Sequence, residues 1–153
     1  MVSDSESKTI LDHIAVVVED LDQGEAFYQS LGLEFDQERE VVPSQGVATS
    51  FAPIDWNSSL ELLSPLADEG PVYDFIKKRG AGIHHVAFQV PDIHAKCAEL
   101  KELGHTLLYP EPREGARRRL VNFVHPKSSK GVLVEITQVL APPEEEDEGE
   151  SDE

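Results

Sequence analysis

A chain of 153 residues can bury one apolar core and is too short for a multidomain assembly. Apolar residues make up 39% and charged residues 28%, which excludes the disordered, collagenous and disulfide-framed classes. Thirteen Lys and Arg against thirty Asp and Glu leave a net charge of −17, so neither nucleic acid nor an anionic membrane is an expected partner.

In chain order, residues 1–8 read as a tail with neither the basic start nor the apolar stretch of a signal peptide, which predicts a cytoplasmic location. A first module over 9–66 opens with the β-rich run His13-Ile-Ala-Val-Val-Val18. Asp20 then stands as an N-cap before about ten helix-compatible residues that end at Gly32. Strands are expected at 33–35, 47–52 and 60–63, separated by the turn-rich Pro43-Ser-Gln-Gly46 and Asp55-Trp-Asn-Ser-Ser59. A linker helix is expected over 70–79. A second module over 82–140 repeats the pattern: His85-Val-Ala-Phe-Gln-Val90, a helix from Asp92 to Gly104, then strands at 106–109, 120–124 and 132–136. Eight of the thirty acids lie in 144–153, so 141–153 reads as an acidic, disordered, solubilising tail. The single Cys97 has no partner for a disulfide and sits at an apolar helix position.

The two modules are copies. At an offset of 72, His13/His85, Ala15/Ala87, Val18/Val90, Asp20/Asp92, Ala26/Ala98, Leu31/Leu103 and Gly32/Gly104 are seven identities over twenty paired positions. Chance gives about one. The expected fold is therefore α+β: two pseudo-symmetric βαβββ modules within one domain over 9–140, their curved mixed sheets enclosing a cleft. Whether the modules pair within a chain or across a dimer is open at this stage.

Strand alternation selects the chemistry. Val86, Phe88 and Val90 share the face that packs on the helix, which leaves His85 and Ala87 on the other, and the repeat does the same for His13 and Ala15. Glu61 between Leu60 and Leu62, and Glu135 between Val134 and Ile136, also point away from an apolar face. An ionised glutamate inside Val132-Leu-Val-Glu-Ile136 is costly unless something positive compensates it. A divalent metal held by His13, Glu61, His85 and Glu135 does so, and two imidazoles with two carboxylates accept cobalt, manganese, nickel or zinc. By the same alternation His84 should face the packed side; His94 and His105, on a helix and after a helix stop with no counterpart in the other module, should lie at the surface, and His125, in Val124-His-Pro-Lys127, in a loop near a ligand. Arg113, Arg117, Arg118, Arg119, Lys127 and Lys130 concentrate positive charge in an acidic chain and suit a polyanionic small ligand.

These residues resemble the vicinal oxygen chelate superfamily of glyoxalases, bleomycin resistance proteins and extradiol dioxygenases. The likeness runs from about Leu11 to Gln138, and within the superfamily it is nearest to the methylmalonyl-CoA epimerase family. It is carried by Leu11-Asp-His-Ile-Ala-Val16, Leu60-Glu-Leu-Leu-Ser-Pro65, Gly82-Ile-His-His-Val-Ala-Phe88, Phe123-Val-His-Pro-Lys-Ser128 and Gly131-Val-Leu-Val-Glu-Ile-Thr-Gln138. The resemblance places metal ligands on His13, Glu61, His85 and Glu135, with cobalt(II) or manganese(II) ahead of nickel or zinc. It implies epimerisation of (R)- and (S)-methylmalonyl-CoA by proton removal and return through a metal-stabilised enolate; inversion needs acid/base groups on both faces, and Glu135 and Glu61, related by the pseudo-twofold, are the expected pair. Some relatives carry a glutamate three residues after the Gly of a Gln-Gly pair; Gln45-Gly46 puts Thr49 there, and threonine is no carboxylate base. Arg118, Arg119 and Lys127 become expected contacts for the CoA phosphates, and a homodimer is implied. The competing readings are a lactoylglutathione lyase-type isomerase, an iron dioxygenase, against which the fourth ligand Glu61 argues, and a metal-free drug-sequestering module of the same fold.

Overall fold

A computed structural model describes residues 8–141. Apart from Lys8 and Ala141, the two expected tails lie outside the described residues. In chain order the elements are β1 (Ile10–Val17), α1 (Leu21–Ser30), β2 (Glu40–Val42), β3 (Val47–Pro53), β4 (Ser59–Pro65), α2 (Pro71–Arg79), β5 (Gly82–Gln89), α3 (Ile93–Glu102), β6 (Arg113–Gly115), β7 (Arg119–Val124), α4 (Pro126–Ser129) and β8 (Val134–Val139). The strands form one eight-stranded sheet in the order β2-β3-β4-β1-β5-β8-β7-β6. β1/β4 and β5/β8 run parallel, and the other pairs are antiparallel. The modules therefore pair within the chain, joined edge to edge through β1 and β5 at the pseudo-twofold.

The two repeated helices, α1 and α3, start where a carboxylate can satisfy an orphan amide. Asp20 accepts from Gln23 N at 3.0 Å and Asp92 from Ala95 N at 3.1 Å. Gly32 and Gly104 stop the helices at φ +97° and +90°, a left-handed region that costs glycine little.

Two helices cover the outer face of the sheet. α1 packs Leu21 on Leu60 and Leu62, and α3 packs Ile93 and Cys97 on Val90, Val124 and Ile136. Burying each such large side chain contributes about 1.5–3 kcal/mol. On the inner face Ala15, Val17, Val47 and Leu63 meet Val72 and Phe75 of α2. The sheet curls until its edges approach: Arg117 N, in the turn after β6, donates to Glu40 Oε2 of β2 at 2.9 Å.

Two expected strands are corrected. Leu33 and Phe35 form no strand but pack into the α1 cluster, and Leu107 keeps a single bridge to Val124. The pairing roles fall instead to the short polar edges Glu40–Val42 and Arg113–Gly115. Apolar content marked burial there and not pairing, and short charged edge strands carry no alternation to read.

Candidate metal centre

Four strands aim their side chains into the curl. Ala15 sits in register between Glu61 on β4 and His85 on β5, and Ala87 between His13 on β1 and Glu135 on β8. Both alanines are fully buried. They form a floor low enough for the four larger neighbours to converge above it, which gives the repeated Ala15/Ala87 identity a physical reason.

The donors meet. His13 Nε2 lies 3.1 Å from His85 Nε2, and Glu135 Oε2 is 3.1 Å from the first and 2.8 Å from the second. Glu61 Oε1 stands 3.8 Å from both nitrogens. His13, His85 and Glu135 place donor atoms within 4.8 Å of one another, and Glu61 completes the ring from further off. All four residues are buried. The space among them is about 20 Å³, room for one water or one ion. Close-set imidazole and carboxylate donors around an ion-sized void fit a divalent cation.

The electrostatics show what this crowding does to the protons. Burial alone would lower His13, but hydrogen bonds to Asp12 and Glu135 outweigh it and raise the imidazole to about 10. Burial alone would raise Glu135, yet hydrogen bonds from His13 and His85 bring it down to about 2. Glu61, with weaker partners, is pushed up by burial.

Behind the donors stands a second layer. His13 Nδ1 lies 2.7 Å from Asp12 Oδ2, which holds a proton on Nδ1 and turns Nε2 to the cavity. Asp12 is 2% exposed and is met by Arg117 Nη2 at 3.0 Å and Arg119 Nη2 at 3.3 Å. Burial alone would raise its pKa; the His13 hydrogen bond and the two arginines hold it below the usual carboxylate range. Arg117 lies 3.8 Å over the Phe51 ring with its backbone left-handed at φ 54°. Gln45, Phe51, Arg117 and Arg119 complete the wall. Beside it opens a cleft of about 660 Å³ bordered by His84, His85, Leu63, Tyr109, Arg113 and Phe123, with Arg113 stacked 4.0 Å over Tyr109.

The structure thus brings together His13, Glu61, His85 and Glu135, and adds Arg119 to their wall. Arg118 is exposed and donates to Ala141 O at 3.3 Å, and Lys127 is exposed on α4, so neither touches the donors. Thr49 is buried, and its Oγ1 has no hydrogen-bond partner among the described residues. His125 caps α4 by accepting from Lys127 N, and His94 is exposed. His84 departs from expectation: it does not face the packed helix layer but lies 2.8 Å, Nδ1 to Nδ1, from His85. Burial and the neighbouring His85 push its pKa down to about 4. Sequence reasoning missed Asp12, although an acid inside the strand run Leu11-Asp-His-Ile14 poses the same burial cost that singled out Glu135.

The family profile of the Glyoxalase/Bleomycin resistance protein/Dioxygenase superfamily matches residues 12–123. The chain is 40% identical over 130 residues to the mitochondrial methylmalonyl-CoA epimerase of Bos taurus, covering 84% of this chain and 73% of that protein. It is 40% identical over 132 residues to the ethylmalonyl-CoA/methylmalonyl-CoA epimerase of Cereibacter sphaeroides, covering 84% and 97%. Among solved structures, a Streptomyces coelicolor methylmalonyl-CoA epimerase variant in complex with 2-nitronate-propionyl-CoA superposes with a TM-score of 0.82 at 35% identity, covering 86% and 97%.

Proposed function

This chain belongs to the glyoxalase/bleomycin resistance protein/dioxygenase superfamily and, within it, to the methylmalonyl-CoA epimerases, and on that premise we infer that it interconverts (R)- and (S)-methylmalonyl-CoA. It is an isomerase of the racemase and epimerase class acting on a CoA thioester. The observation that carries the reading is the convergence of His13, His85, Glu61 and Glu135 in one buried cavity of a chain so similar to named epimerases.

The reaction removes the proton on the carbon between a thioester and a carboxylate and returns one to the opposite face. Groups are needed on both sides. Glu135 and Glu61 approach the imidazole pair separately, at 2.8–3.1 Å and 3.8 Å, and we assign the two proton transfers to them because Thr49 offers no carboxylate. The same four residues would hold a divalent cation, since imidazole and carboxylate without thiolate suit cobalt(II), manganese(II), nickel or zinc, and the family likeness puts cobalt(II) and manganese(II) first. Such a cation supplies Lewis-acid polarisation of the substrate oxygens and stabilises the charge developing on the thioester oxygen.

Arg117 and Arg119 bring to the cavity wall buried Nε groups that have no partner among the described residues, and they suit the free carboxylate of the substrate. Arg118 and Lys127, exposed and away from the donors, remain the candidates for the CoA phosphates. The 660 Å³ cleft beside His85 accommodates the thioester arm. The family likeness suggests a homodimer, and Ile14, 37% exposed on the central strand β1, is a candidate contact for it. No described helix is long and apolar enough to cross a membrane.

The test is a cobalt- or manganese-reconstituted chain given methylmalonyl-CoA in deuterated water. Exchange at the α-carbon with loss of stereochemical purity is the expected result. Turnover of a glutathione hemithioacetal with no such exchange would move the chain to the lactoylglutathione lyase type.

A further inference from the structure

The offset that relates the two ligand histidines also relates the residues before them, for Asp12 and His84 are 72 positions apart. Both are the extra residue at an irregularity of the β1–β5 ladder. Pairing skips from Leu11/Phe88 to His13/Ala87, passing over Asp12, and from Ala15/His85 to Val16/Ile83, passing over His84. A regular strand would turn each toward the outer layer, whereas a bulge re-aims it. Asp12 Oδ2 thereby reaches His13 Nδ1 at 2.7 Å, and His84 Nδ1 reaches His85 Nδ1 at 2.8 Å.

Two ring nitrogens at that distance share one proton between them. If His85 presents Nε2 as a lone pair beside His13 and Glu135, its own proton sits on Nδ1 and His84 Nδ1 accepts it, leaving the His84 proton on Nε2. We propose that His84 is a positioning residue, the imidazole counterpart of Asp12, which fixes the tautomer and ring orientation of His85. The proposal rests on the reading that His13, His85 and Glu135 hold a cation. His84 is anchored in turn by Phe75 of α2, with ring centroids 5.0 Å apart at 69°. One ligand is thus steadied by the linker helix, an element outside the repeat. The difference in chemistry is consistent with the charges on the two sides. Asp12 has Arg117 and Arg119 to balance it, whereas a neutral imidazole needs no such balance in a cavity already holding Glu61 and Glu135.

The experiment titrates cobalt(II) chloride into the metal-free full chain, followed by its visible absorption bands and by calorimetry. Wild type is compared with His84→Phe, His84→Gln and the exposed-site control His94→Phe. His84→Phe keeps a ring against Phe75 but loses the acceptor, and should bind cobalt about 10–100-fold more weakly with a shifted absorption band. His84→Gln, whose amide oxygen can accept, should recover most of that loss, and His94→Phe should match wild type. Equal affinity in wild type and His84→Phe refutes this inference alone. A wild-type chain that takes up no cobalt refutes the metal reading and this inference with it. Should His84→Phe fail to fold, nitrogen-15 spectra of the zinc-loaded wild type decide: a proton on His85 Nδ1 supports the assignment, and an unprotonated Nδ1 overturns it.

Discussion

In the first half of the molecule His13 leans on a carboxylate, Asp12, and two arginines of the second half reach across to neutralise it. In the second half its counterpart leans on His84, which rests on the linker helix. The donors themselves, the alanine floor and the helix caps match between the halves. Duplication has therefore kept the backbone and the groups facing the cavity, while the layer behind them has diverged. The halves also meet unequally at the mouth. The edge of the first ends in Glu40–Val42, and the second sends Arg117, left-handed at φ 54°, across to it. A site with pseudo-twofold donors can in this way act on a substrate that has no twofold of its own.

The largest expected effect breaks the symmetry at the carboxylates. Glu135→Gln should lower kcat about 10²–10⁴-fold, the usual loss of a general acid or base. Glu61→Gln should also suppress proton exchange in deuterated water while disturbing metal affinity less, because it stands further from the imidazoles. Near-normal exchange in Glu61→Gln would remove it as the second acid/base group.

Next comes the outer layer of the first half. Asp12→Asn should weaken cobalt binding about 10–100-fold, measured by titration of the metal-free chain. An unchanged affinity would mean that His13 needs no partner to face the cavity.

A smaller effect separates the cations of the second half. Arg119→Ala should raise KM with little change in its salt dependence, as expected of a carboxylate contact in the wall. The double change Arg118→Ala, Lys127→Ala should flatten the dependence of KM on ionic strength, as expected of exposed phosphate contacts. The reverse pattern would exchange the two roles.

The smallest effects should be equal. Asp20→Ala and Asp92→Ala each remove a cap of matching geometry, and each should cost about 1 kcal/mol of stability in denaturant titration. A clear inequality would show that the two helices are not equivalent supports of the sheet.

The sequence by itself determined whatever depends on local pattern and on repetition. The 72-residue offset identified two copies, the capped helices followed from Asp20 with Gly32 and Asp92 with Gly104, and strand alternation turned His13, Glu61, His85 and Glu135 to one face. Alternation holds only while a strand stays regular. Asp12 and His84 were misread or missed because each occupies a bulge, one extra residue that reverses the facing and follows from how β1 meets β5, a relation between segments 72 positions apart. Only the tertiary structure could decide that the ladder yields there. It also decided that the curl of the sheet carries Arg117 and Arg119 to Asp12 and that Glu40–Val42 and Arg113–Gly115, too short and polar to announce themselves, form the edges. Local sequence sets which way a regular backbone points its side chains; where two distant backbones must fit one another, the fit itself sets the direction.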